Sequence, residues 1–229
     1  MVSIDTVYQK VLMFANKEQR GYITPQEFNM FADHAQKEIF EQYFYDLNQF
    51  SRIHGDSGEY SDVIHNINEK IAIFERNDGV WNFGALSSAS GENLYRLGTM
   101  MYNGKEIEEV QQNEILYINA SPLTRPTEAK PVYVRIGTNT IEVFPDSIND
   151  TGCTYIKSPT TPKWGYFVVG NKALHDANTA KTTNFDLHQS EESELVYKIL
   201  KFAGVSMKRD DVAKAGQGLE TAQSQQEKQ

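Results

Sequence analysis

One cysteine in 229 residues leaves Cys153 without an internal partner, so neither a disulfide framework nor a thiolate zinc cluster holds this chain together. Packing must do it. There is no uninterrupted apolar run of the roughly 18 residues that a membrane-spanning helix needs. The opening Met1-Val2-Ser3-Ile4-Asp5 also lacks the basic segment and apolar stretch of a secretion signal. A chain that stays off membranes is expected. Positive charge is the minority: 22 Lys and Arg against 31 Asp and Glu give −9, the wrong sign for coating a nucleic acid by counterion release. What is present is hydrophobic and aromatic. The 39% hydrophobic content is enough for a core and excludes a disordered chain. Twelve Tyr, twelve Phe and two Trp are many for so acidic a sequence, and large aromatics concentrate in cores and at protein interfaces.

The first third reads as helix. Ser3 caps a segment whose apolar residues Ile4, Val7, Tyr8, Val11, Leu12 and Ala15 recur at three and four, stopping near Gly21. Thr24-Pro25-Gln26-Glu27 then combines a capping threonine, a proline at the first helical position and a glutamate at the third. From there Phe28, Phe31, Ala32, Ala35, Ile39, Tyr43, Leu47 and Phe50 keep helical spacing to about Ile53, a helix roughly 40 Å long. Phe40, Tyr43, Phe44, Tyr45 and Phe50 spread beyond one apolar stripe, so part of this surface calls for a second partner unless the chain's other helices cover it. After a polar loop from His54 to Tyr60, Ser61 caps a third helix with Val63, Ile64, Ile67, Ile71 and Phe74 inward, ending at Asn77-Asp78-Gly79.

From Val80 the period shifts toward two. Residues 95–102 and 105–110 flank Asn103-Gly104, the dipeptide that a type I′ hairpin turn prefers. A short helix is expected from Asn113 to Asn119, and a second hairpin from Val132–Ile136 and Thr140–Phe144 around Gly137-Thr138-Asn139. Further strands are expected at 154–157 and 166–169, followed by a polar, irregular stretch from Asn171 to Asn184. Ser190 then caps a helix with Glu191, Glu192 and Glu194 in its first turn and Leu195, Val196, Ile199, Leu200 and Phe202 on its apolar face, ended by Gly204. Four turns need docking, and the N-terminal helices are the expected site. The fold class is thus α+β: N-terminal helices and a C-terminal helix forming a bundle, with a mainly antiparallel β module inserted between them. The division is 1–79 helical, 80–187 the β module, 188–205 the returning helix and 206–229 a polar extension. With only Val212 and Leu219 as sizeable apolar residues, that extension is expected to order only on a partner.

Chemical motifs fall short. Gly98 to Lys105 has a phosphate-loop look, but its spacing is one residue too long and Glu106 replaces the magnesium-binding hydroxyl. Asp56, Ser57, Glu59, Ser61 and Asp62 are calcium-ligand types at a spacing that matches no EF-hand. The five histidines form no metal-binding pair, and Ser87, Ser88 and Ser90 lie outside any Gly-x-Ser-x-Gly elbow. Glu108 and Glu109 alternate faces on a strand, and Cys153 has no nearby activating group, which makes it filler. No catalytic, cofactor or metal residues are assigned, and no enzyme is expected. The candidate protein-interface residues are Phe28, Phe31, Phe40, Tyr43, Phe44, Phe50, Val212 and Leu219.

The stretches Ile4–Leu12, Ala15–Asn29 and Ala35–Phe50 resemble the opening of a structural protein of short-tailed phages, especially crAss-like and marine ones. Pro131–Arg135, Tyr155–Pro159, Pro162–Tyr166 and Phe185–Val196 extend the resemblance over most of the chain. It implies a non-enzymatic virion protein of the neck or tail: a head-to-tail connector forming a closed ring, a dodecamer by resemblance, that meets the portal protein and other neck or tail rings. Genomic DNA would pass through its lumen without sequence-specific binding, and an acidic lining would keep the phosphates from sticking. The protein would occupy host cytoplasm only during assembly. The alternatives are a virion-associated cell-wall hydrolase and a cytoplasmic assembly chaperone.

Overall fold

Thr24 and Glu27 show how local chemistry sets the first long element. In the computed structural model, which describes residues 1–16, 23–52, 58–78, 93–136, 140–148, 151–170, 172–178, 180–206 and 210–227, the two form a reciprocal capping box. The Glu27 amide donates to Thr24 Oγ1 at 3.3 Å, while the Thr24 amide and hydroxyl donate to Glu27 Oε2 at 2.9 and 2.7 Å. From this cap α2 runs Pro25–Arg52, after α1 at Ile4–Asn16 and before α3 at Gly58–Ala72. The expected ends near Gly21 and Ile53 lie outside the described residues.

The protein is a mixed α+β chain of two compact units. One comprises residues 1–73 with 159–229, the other residues 74–158. In the first, α5 (Glu192–Ser206) packs on α1 and α2, and α6 (Asp210–Glu227) lies along α5. Ile4, Val7 and Val11 of α1, Phe28, Ala32, Ala35 and Ile39 of α2, and Leu195, Val196 and Ile199 of α5 are all buried, so three apolar stripes close one core. Buried Gln36 ties the returning chain to α2: its Nε2 donates to the Thr160 carbonyl at 2.8 Å, and its Oε1 accepts from the Asp186 amide at 3.0 Å. Trp164 repeats the device: its amide donates to Asn29 Oδ1 at 2.7 Å and its indole N–H to Asp5 Oδ1 at 2.9 Å.

The second unit is built from sheets. One has the strand order β1 (Glu75–Asp78), β7 (Gly152–Lys157), β2 (Leu94–Tyr102), β3 (Lys105–Glu106), all antiparallel. The other places β5 (Val132–Arg135) between antiparallel β6 (Ile141–Phe144) and the short parallel β4 (Glu108–Glu109). Met100, Ile107, Tyr133, Val143, Ile148, Cys153 and Tyr155 fill its core, which makes Cys153 a packing residue. The β2–β3 turn is the expected one, with φ of 49° at Asn103 and 73° at Gly104, both in the left-handed region. Gly98 sits at an irregularity in β2, where an added Cβ would lie 2.6 Å from Thr154 Oγ1 and 2.8 Å from its carbonyl oxygen. Close backbone approach, not phosphate, explains that glycine.

Several expectations are corrected. The third helix begins at Gly58, ahead of Ser61, and stops at Ala72; residues 75–78 form β1 because pairing with β7 overrides local preference. His188, not Ser190, caps the turn before α5, its Nδ1 accepting from the Ser190 amide, and α5 runs through the buried Gly204 to Ser206. Residues 166–169 (β8, Tyr166–Val169) do not belong with the β module but pair with an unexpected strand, β9 (Lys172–His175), inside the unit made by the chain's two ends. Trp164, anchored to α1 and α2, carries them there. The polar extension is helical over most of its length as α6.

Candidate functional site

The helical unit contains a groove of about 500 Å³ where the C-terminal half of α2 meets α3 and α5. Ile39, Tyr43, Phe50, Val63 and Ile67 supply its apolar surface, and helical spacing on α2 and α3 puts them on facing stripes. The other wall is charged. Glu191 closes the 3-10 turn Gln189–Glu191, is only 1% exposed, and receives Lys70 of α3 on Oε1 at 2.6 Å. Ser190 Oγ donates to the same oxygen at 3.1 Å, while Glu191 Oε2 is buried and has no hydrogen-bond partner among the described residues. A buried carboxylate oxygen left in this way is costly, so the wall keeps an acceptor to be answered.

Behind it lies an ionic cluster. Buried Lys198 reaches Glu220 of α6 at 2.7 Å, Glu38 of α2 at 3.0 Å and Glu194 at 3.6 Å, and Lys201 reaches Glu220 at 3.1 Å. Burial alone would pull Lys198 down, yet its hydrogen bonds to Glu220 and Glu38 and the charge of Glu194 hold its pKa above the ordinary lysine value. Burial likewise pushes Glu220 up, but Lys198 and Lys201 outweigh it and keep its carboxyl below the usual range. The Lys198–Glu220 pair therefore stays ionised at neutral pH and clamps α6 to α5. Glu191, Glu194 and Lys198 stand at spacings of three and four beside Leu195, a polar row on an apolar face; the sequence reading takes the glutamates as dipole compensation and passes over Lys198.

A second cavity, of about 540 Å³, belongs to the sheet unit and is lined by Gly98, Glu106, Glu108, Glu109 and Tyr133 among others. Tyr133 donates to Glu109 Oε2 at 3.1 Å. Burial first, then the Glu109 charge and hydrogen bond, push its pKa up to about 12, so this hydroxyl does not exchange a proton near neutrality.

The sequence-chosen interface residues do not share one environment. Phe28, Phe40 and Tyr43 are buried in the chain's own core, while Phe31, Phe44 and Phe50 are half-buried. Leu219 is exposed on α6, and the side chain of Val212 lies outside the described residues. Only Tyr43 and Phe50 share the groove. Met13 and Phe14 of α1 and Met30 and Tyr45 of α2 are exposed, and further exposed apolar groups lie in other elements. Phe167, Val168, Val169 and Leu174 of the β8–β9 ribbon are between 45% and 64% exposed. In the sheet unit Leu116 and Tyr117, on the short helix α4 (Ile115–Ala120), stand in solvent, and Leu123 is 97% exposed.

His54, Ser57 and Ser87–Ser90 lie outside the described residues. Among the described residues no group of three His, Cys, Asp or Glu side chains is placed to hold a metal ion, and no helix is long and apolar enough to cross a membrane. No protein-family model matches this chain, and a search of curated proteins finds no relative.

Proposed function

We propose that the protein is a ring-forming head-to-tail connector subunit of a tailed phage, a virion component of the neck or tail that joins the portal protein to further rings around the DNA passage. The finer architecture belongs to the same reading: N-terminal helices and the returning α5 form the bundle, and the β module between them is a second contact body. One observation carries it, the large apolar residues exposed in each unit, on the β8–β9 ribbon and around α4. Monomeric proteins keep contiguous apolar patches small, and a ring subunit has neighbours on several sides to cover them. The charge of −9 supports a lumen that lets phosphates slide past. The resemblance to short-tailed phage neck proteins supplies the class and the twelvefold stoichiometry.

Native mass spectrometry of the chain mixed with its phage's portal protein tests this. The expected result is a complex with twelve copies of each protein. A chain that never joins the portal contradicts the proposal.

A further inference from the structure

The β8–β9 ribbon and the acidic groove have complementary character. Two four-residue strands make a ribbon that is marginal alone, and here both its faces carry solvent-exposed apolar residues. Between Tyr166 and His175 it has one lysine, Lys172, and no carboxylate. The groove offers the converse: an apolar floor, five carboxylates against two lysines in its lining, and a Glu191 oxygen that holds no donor among the described residues. Its volume of about 500 Å³ accommodates a few side chains, the apolar tip of a ribbon rather than a whole helix.

The ribbon does not serve its own groove. Its base is anchored where Trp164 binds Asn29, and Gly165 closes it by accepting from the Asp176 amide at 2.9 Å. No described residue of the ribbon lines the groove of its own chain.

We infer that the β8–β9 ribbon of one copy docks into the α2–α3–α5 groove of the next, with Phe167 and Val169 on the apolar floor and Lys172, opposite Val169 on the same face, toward the carboxylate wall. This rests on the ring reading above and names its lateral contact. Unlike surfaces meet, so the contact is head-to-tail, the kind that closes into a ring when the rotation permits. Opposite charges fix the register, and apolar contact supplies the attraction.

The test uses the full chain. Val169→Cys and Asn66→Cys, the latter on the groove's exposed rim, are made in separate chains and mixed under mild oxidation. A mixed disulfide that appears only in the mixture is expected, and its loss in the presence of Lys172→Glu supports the register. In sedimentation, Lys172→Glu or, at the groove-lining Glu69, Glu69→Lys alone should weaken self-association roughly tenfold, and the double exchange should recover most of it. Self-association unchanged by these variants, with no mixed disulfide, overturns this contact and leaves the ring reading standing. A chain that is monomeric at every concentration and forms no mixed disulfide overturns the contact as well, and the ring reading is then decided separately by binding to the portal.

Discussion

Gln36 and Thr24 sit twelve residues apart on the same helix and differ in how far their partners lie. Thr24 bonds within its own turn, so replacing it by Ala should cost about 1 kcal/mol in chemical denaturation. The Thr24 side chain and then its backbone amide hold the Glu27 carboxyl below its ordinary value. A depressed carboxyl stabilises the fold above its unfolded pKa and ceases to do so as pH falls through the folded one, so the Thr24→Ala penalty should shrink as pH falls below the ordinary glutamate range. Gln36 instead binds Thr160 and Asp186, 124 and 150 positions away. Gln36→Leu strands a buried carbonyl and amide and should destabilise by about 2 kcal/mol, which a urea midpoint would register. The box was legible because a three-residue pattern contains its own cause. Nothing local marks Gln36, a polar residue among apolar ones, since the groups that satisfy it arrive from the far end of the chain.

Among elements the same division holds. The Asn103-Gly104 hairpin and the apolar stripes of α1, α2 and α5 were legible because periodicity and turn chemistry are short-range. β1 and β9 were not, because each exists through a partner strand rather than through its own residues. α6 is the sharpest case. Its sequence has too little apolar surface to dock by burial, and it docks through ions and a glycine. A Cβ at Gly216 would stand 2.9 Å from the Lys201 amide nitrogen, whereas nothing lies within 4 Å of one at Gly218. Gly216→Leu should therefore release α6 to limited proteolysis and lower the melting temperature, and Gly218→Leu should do neither. Acid should do the same to the unmutated chain. Glu220 is depressed by its lysines, so the clamp holds at neutral pH and is lost as pH falls through the folded Glu220 value. Proteolysis of α6 at pH 3 compared with pH 7 checks this.

For the whole molecule, two compact units each display apolar groups to solvent on a chain that is otherwise acidic. The groove could not be read from the sequence, because the region around Glu191 lies more than a hundred residues along the chain from the α2 and α3 walls it completes. The aromatic surplus was legible as a surplus, but its location only in part: Tyr45 is exposed on α2 as its place outside the stripe suggested, while Phe28, Phe40 and Tyr43 turned inward and further exposed apolar residues came from the ribbon and from α4. On the proposed reading, such a subunit is completed by copies of itself and by unlike rings. Quantitative mass spectrometry of purified particles tests that most directly: the account predicts this chain in the virion at the same copy number as the portal protein, and its absence from particles that contain the portal would contradict it.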